Sequence, residues 1–210
     1  MSPPHGRPKE GSLPLGGTAL CAKGVHTSAA GPPQSARTPP SPWLETLRLE
    51  FREFVAGDFE DLYRLNRDPR VMKYLAKGKP LSRAEVEQAL KRSIRYPTLY
   101  PDFGIWRASR RDNGAFIGWF SLKYTGKSPD VEVGYRLLPE AWNLGFATEG
   151  ATALVDYGFD DLGLHRIIGV THPGNLASQR VLMKAGLADM GWGRYYDQRL
   201  RLFAAERTAR

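Results

Sequence analysis

The stretch between residues 130 and 172 constrains the fold of this chain more than any other. "VEVGYRLL" alternates along its length as a strand does, and "ATEGATALVDYGFDDLG" sets Ala147, Ala151, Leu154, Val155 and Phe159 on one helical face. Gly163 can end that helix, and "HRIIGVTH" returns as a short apolar strand. A strand, a helix and a strand in this order pair in parallel through a right-handed crossover. Whatever else the chain forms must be arranged around that unit.

The flanking segments read as antiparallel. "LETLRLEFREF" alternates Leu47, Leu49 and Phe51 with Arg48, Glu50 and Arg52, which predicts a half-buried first strand. Asp58 is a helix-start signal before Phe59, Leu62 and Tyr63, and Pro69 opens another short helical turn. Ser82 and Glu85 have capping-box spacing ahead of Val86, Ala89, Leu90 and Ile94, which predicts a longer helix. "DFGIWRAS", "GAFIGWFSLKY" and "PDVEVGYRLL", separated by turn formers, read as a meander. A helix from Asn175 to near Gly186 and two strands around "LADMGWGR" and "DQRLRLFAAE" complete the chain. The order predicts a mixed α/β domain with a mostly antiparallel seven-stranded sheet, its fourth and fifth strands parallel.

Composition sets the limits. The 210 residues suit one domain plus a tail. Residues 1–42 hold nine of the sixteen prolines and predict a disordered extension, with a single domain over 43–210. The extension has no apolar core of a secretory signal, and its prolines would break the amphipathic helix of a transit peptide. No apolar run approaches the roughly 20 residues of a membrane span, so no membrane partner is expected. Cys21, the only cysteine, rules out an intrachain disulfide and a cysteine-rich metal site and fits a cytoplasmic setting. The formal charge of +8 comes from scattered basic residues without a block, so nucleic acid is not the expected partner.

Two stretches carry chemistry. "AWNLGFATEG" places Gly145 where a strand-to-helix loop meets a helix start. It can be a plain tight turn, or its unpaired amides and the helix dipole can cradle a phosphate. In "HPGNLASQRVLMKAGL", Asn175 can cap a helix or hold a ligand in the gap where the parallel strands splay, with Ser178 one turn on and Leu182 another turn later.

Three segments, "ETLRLEFREFVAGDFEDLYRLNRDPRVMKYL", "VEVGYRLLPEAWNLGFATEGATALVDYGF" and "RIIGVTHPGNLASQRVLMKAGL", together resemble the GNAT superfamily of acetyl-CoA-dependent acyltransferases. Within it they are similar to the branch that acetylates ribosomal-protein N-termini. The resemblance implies the GNAT fold, with helices on both sheet faces, and transfer of an acetyl group from acetyl-CoA to a primary amine by direct attack in a ternary complex. It implies no metal and leaves a homodimer open.

The family's pyrophosphate pattern, Gln/Arg-x-x-Gly-x-Gly/Ala, falls on Trp142, Asn143, Leu144, Gly145, Phe146 and Ala147, with Trp142 departing from the usual first residue. Asn143, Leu144, Gly145, Phe146, Ala147 and Thr148 would then hold the cofactor's phosphates. The backbone of Tyr135, Arg136, Leu137 and Leu138 would pair with the pantetheine arm, which Asn175 would also contact. Glu132 is the implied general base, and His172 is a second candidate. The tyrosine that relatives place seven residues after the asparagine is Leu182 here, so Ser178 is the remaining proton donor, acting through water. Tyr74, Tyr96, Trp119, Tyr195 and Tyr196 fall in the segments that shape the acceptor cleft. A protein N-terminal amine is the implied acceptor. A small-molecule amine such as an antibiotic or polyamine is the alternative, and a non-catalytic acyl-CoA-binding or basic nucleic-acid-associated module is the rival of another class.

Overall fold

A computed structural model describes residues 42–75, 78–126 and 130–207. The expectations for residues 1–41, including Cys21, lie outside the described residues. Strands β1 (Leu44–Glu45), β2 (Leu49–Glu53), β3 (Gly104–Arg110), β4 (Phe116–Tyr124), β5 (Val131–Leu137), β6 (Arg166–Thr171), β7 (Ala188–Tyr195) and β8 (Gln198–Glu206) form one sheet. Its order is β1-β2-β3-β4-β5-β6-β8-β7, and every neighbouring pair is antiparallel except β5 with β6.

The sheet has eight strands where seven were expected, because the first alternating run folds back on itself. Leu47 was expected on the buried side but is 86% exposed. It sits in a turn that Thr46 closes by donating its N–H to the Leu49 carbonyl and accepting the Leu49 N–H on its hydroxyl. Of the alternating Leu47, Leu49 and Phe51, the last two reach the core.

Helices α1 (Phe59–Arg67), α2 (Pro69–Met72) and α3 (Arg83–Leu99) precede the meander. Leu62, Leu65, Val71, Val86 and Leu90 from them pack with Phe54, Phe116 and Leu138 on one face of the sheet. The capping box of α3 forms as predicted, Ser82 and Glu85 satisfying each other's backbone N–H. Asp58 does not cap α1. Its buried carboxylate instead accepts two bonds from Arg52 and one from the Val55 N–H and pairs with the Arg107 guanidinium, holding β2 and β3 to the start of the helix.

Helices α4 (Phe146–Asp160) and α5 (Leu176–Lys184) cover the opposite face, where Ala151, Leu154, Val155 and Leu182 meet Phe120, Leu122 and Ile167. Gly150 lets α4 approach so closely that a Cβ there would lie 2.4 Å from the Phe120 ring. Helix α4 is the crossover between the parallel strands, as its apolar face required. Among the described residues no helix is long and apolar enough to cross a membrane.

Candidate active site

The parallel pair is short. Its register holds only at Val131 with Ile167 and Glu132 with Ile168, after which β5 keeps β4 as its partner while β6 leans toward β8. A gap opens between them from Val133 onward. The Leu138 N–H bonds Ile117 on the β4 side, so by strand alternation the backbone groups of Arg136 also point toward β4, and those of Val133 and Tyr135 face the gap. The Leu137 carbonyl is already taken by the Trp142 indole N–H at 2.9 Å. Of the four residues expected to pair with a pantetheine arm, Tyr135 alone keeps both backbone groups directed at the gap.

Beyond β5 the chain passes through a short 3-10 turn into the loop before α4. Asn143 (φ 60°) and Gly145 (φ 83°) both take left-handed conformations, which curls the loop and presents the first-turn N–H groups of Phe146, Ala147 and Thr148 without intrahelical acceptors. Arg48 fixes this shape. Its Nη1 donates to the Leu144 carbonyl at 2.9 Å, its guanidinium lies 4.5 Å over the buried Phe146 ring, and it pairs with Glu149 at 2.6 Å. Glu149 also accepts the Thr46 hydroxyl and the Arg48 N–H. Desolvation raises its pKa, but these bonds outweigh that and hold the carboxyl below the usual carboxylate range. The acidic residue in the first turn is thereby neutralised, leaving the loop fit for an anion. Nothing local in the sequence marks Thr46 or Arg48, which lie about a hundred residues away from the loop they hold.

At the other end of the gap stands Glu132, only 7% exposed. Lys123 Nζ donates to its Oε2 at 3.0 Å and to the Tyr196 hydroxyl at 2.7 Å, and that hydroxyl in turn donates to the same carboxylate oxygen. Tyr196 and Asp197 are the two residues of the β7–β8 hairpin loop, both left-handed (φ 53° and 57°), as a type I′ turn requires. Holding a tyrosine in that conformation costs on the order of 1–2 kcal/mol, offset by its contacts with Glu132 and Lys123. Burial and the Glu132 charge push the Tyr196 phenol well up, so it stays a donor. Tyr195 similarly ties the hairpin to Asp130 at 3.0 Å.

Asn175 caps α5 by accepting the Ser178 N–H at 3.2 Å. The Tyr135 hydroxyl lies 3.0 Å from both the Ser178 carbonyl and its Oγ, and burial pushes that phenol up as well. Ser178 is thus linked to β5 across the gap, while Leu182 is buried against Gly169. His172 stacks on Tyr74 at 5.1 Å, and its Nδ1 accepts the Gly174 N–H at 3.1 Å. The ring of His172 is thus held between Tyr74 and the Gly174 backbone. Of the other aromatics, Tyr96 accepts the Tyr124 N–H and Trp119 lies beneath Arg136.

One splayed parallel pair, an anion-receptive loop at the start of the crossover helix and a buried carboxylate at the point of divergence define the class: an acyltransferase of the acetyl-CoA-dependent type. The sequence model described as "Acetyltransferase (GNAT) domain" matches residues 48–188, and the chain belongs to that family. It is 36% identical to the FsC-acetyl coenzyme A-N(2)-transacetylase of Aspergillus fumigatus, over 70% of this chain and 65% of that protein. It is 35% identical to an uncharacterized N-acetyltransferase, YoaA, of Bacillus subtilis, over 74% of this chain and 88% of that one. A GNAT-family acetyltransferase from Bacillus anthracis superposes with a TM-score of 0.66 at 25% identity, covering 77% of this chain and 96% of that structure. The protein is an acetyl-CoA-dependent N-acetyltransferase. Among the described residues no cluster of side chains could hold a metal ion.

Proposed function

We propose that the chain acetylates a protein N-terminal α-amine by direct attack in a ternary complex. The buried Glu132 carboxylate, at the point where β5 and β6 part, carries this reading. An α-amine has a pKa of roughly 8 and must lose a proton before it can attack. Glu132 takes that proton, directly or through water, while Lys123 and Tyr196 hold the carboxylate in place. Acetyl-CoA supplies the activated thioester. The amides of Phe146, Ala147 and Thr148, in the loop shaped by Asn143, Leu144 and Gly145, bind its phosphates. The gap-facing backbone of Val133 and Tyr135 holds its arm beside Asn175, and a gap-facing N–H stabilises negative charge on the carbonyl oxygen. Ser178, positioned by Tyr135, protonates the leaving sulfur through water.

The acceptor reading rests on the resemblance of the three segments to the ribosomal-protein branch. A small-molecule amine is the second reading, favoured by the 36% identity to a transacetylase named for an N(2) position. Free-thiol release from acetyl-CoA, measured with N-terminal peptides against small amines, separates the two. A Glu132→Gln variant should bind CoA normally and lose most turnover between pH 6 and 8 (about the range in which the amine is protonated). Full turnover in that variant would remove Glu132 from its role.

A further inference from the structure

On β4 and β5 three pairs of residues lie opposite one another: Lys123 with Glu132, Ser121 with Gly134, and Trp119 with Arg136. Residues two apart on a strand share a face, so Glu132, Gly134 and Arg136 all look toward the side covered by α1. The opposite side belongs to Tyr135, which reaches Ser178 on α5. Gly134 places no side chain between its two charged neighbours, and a Cβ there would lie 2.8 Å from Ser121 Oγ. The result is a carboxylate and a guanidinium on one face of β5 with no β5 side chain between them.

The guanidinium is the unusual member. Arg136 forms no ion pair among the described residues. Its single side-chain bond runs from Nη1 to the neutral amide oxygen of Asn66, and its Cζ lies 5.2 Å from the Trp119 ring centroid. Its Nε is buried with no acceptor, and Nη2 donates to no group among the described residues. Burial lowers its pKa to about 10, which leaves it charged at neutral pH. Every other enclosed guanidinium on this side has an acid: Arg52 and Arg107 share Asp58, and Arg107 also holds Asp61. A positive charge taken out of water without a counter-ion is costly, and Nη2 is the donor left over that a carboxylate can engage.

We propose that the amine acceptor carries a carboxylate that docks on Nη2 of Arg136 while its amine meets Glu132. This rests on the reading above that Glu132 receives the acceptor amine. The two Cα positions are four residues, about 13 Å, apart along an extended strand. After both side chains reach inward, the ligand must span several bonds between amine and carboxylate. An acidic side chain at the second position of an N-terminal peptide meets that requirement, as does an ω-amino acid.

The test uses the full chain, acetyl-CoA and matched acceptors: Ala-Asp-Ala-Ala-amide against Ala-Asn-Ala-Ala-amide, and 6-aminohexanoate against 6-aminohexanamide. A charge-assisted contact should favour the carboxylate member of at least one pair by about tenfold or more in kcat/KM. In Arg136→Gln the preference should fall to within about twofold, and Arg136→Lys should restore part of it. The same ranking should appear as thermal stabilisation of the CoA-saturated protein by each ligand. No carboxylate preference in either readout, or a preference that survives Arg136→Gln, overturns the proposal. Should CoA itself fail to stabilise the native chain, the acetyltransferase reading falls and this one with it. CoA stabilisation without a carboxylate preference removes this proposal alone. If Arg136→Gln does not fold, the native ranking and the Arg136→Lys ratio decide.

Discussion

Gly145→Ala tests the loop before α4 most directly. Gly145 sits at φ 83° and ψ −6°, and placing an L-residue there costs on the order of 1–2 kcal/mol. The added Cβ would also lie 3.2 Å from Arg48 Nη2, so the guanidinium must shift. That shift strains its bond to the Leu144 carbonyl and its pair with the partly exposed Glu149, interactions worth up to about 1 kcal/mol. The total, on the order of 1–3 kcal/mol, should lower Tm by several degrees, at roughly 2–4 °C per kcal/mol for a domain of this size. Loss of the curled loop should weaken CoA by about tenfold, equivalent to ~1.4 kcal/mol. Thermal unfolding and calorimetric CoA titration measure both. The contact with Arg48 disappears in an Arg48→Ala background, so the substitution should there cost only its backbone strain. Equal costs in the two backgrounds would refute the argument that Arg48 sets the loop, and unchanged CoA affinity would refute the loop as a phosphate cradle.

Other expectations follow from the same geometry. Gly150→Ala drives a methyl to 2.4 Å from the Phe120 ring and should destabilise the fold by about 1–3 kcal/mol in urea unfolding. Glu149 has a folded pKa held below its ordinary 4.5, so its contribution is complete above that value and fades as pH falls through the lower folded one. Glu149→Gln should therefore cost about 1 kcal/mol at pH 7 and progressively less on acidification, read from urea midpoints across pH. Trp142→Phe removes the N–H that caps the Leu137 carbonyl and should cost about 1 kcal/mol of stability. CoA affinity in that variant should stay within about threefold, well under the tenfold that 1.36 kcal/mol would give; a larger loss would place the indole on the cofactor.

What the sequence disclosed was what local periodicity records. The apolar face of α4, the Ser82 and Glu85 box and the meander follow from patterns within a dozen residues, and each formed where the pattern put it. Leu47 fitted its alternation and is nonetheless exposed, because the Thr46 hydroxyl reaches Glu149 in another element and holds the turn there. Asp58 has the residue type of a cap, but two arginines from β2 and β3 outbid the helix for its carboxylate. The site divides along the same line. Gly145 and Asn175 were legible because the turn and the cap are local. The partners of Glu132 come from nine and sixty-four residues away, and no short window contains them. Arg136 was visible as a strand residue with its backbone in view, whereas its lack of an acidic partner among the described residues is a property of the packed face.

Strand β5 connects these observations, because its three directions serve three different purposes. Its β4 edge is satisfied along its length, down to Leu138 with Ile117, which makes it rigid. Its other edge is released after Glu132, and the released stretch is short: Trp142 closes it at Leu137. A cofactor arm bound there would be held by backbone from two residues, Val133 and Tyr135. Specificity for an acceptor must then come from side chains on the α1 side, where Glu132, Gly134 and Arg136 alternate with residues that serve the α4 and α5 side. Substitutions at the even-numbered positions should therefore change which amine is used, and substitutions at the odd-numbered ones should change how the cofactor is held. This division follows from a pleated strand left half unpaired, and it gives the positions on β5 distinct consequences although they lie within one seven-residue run.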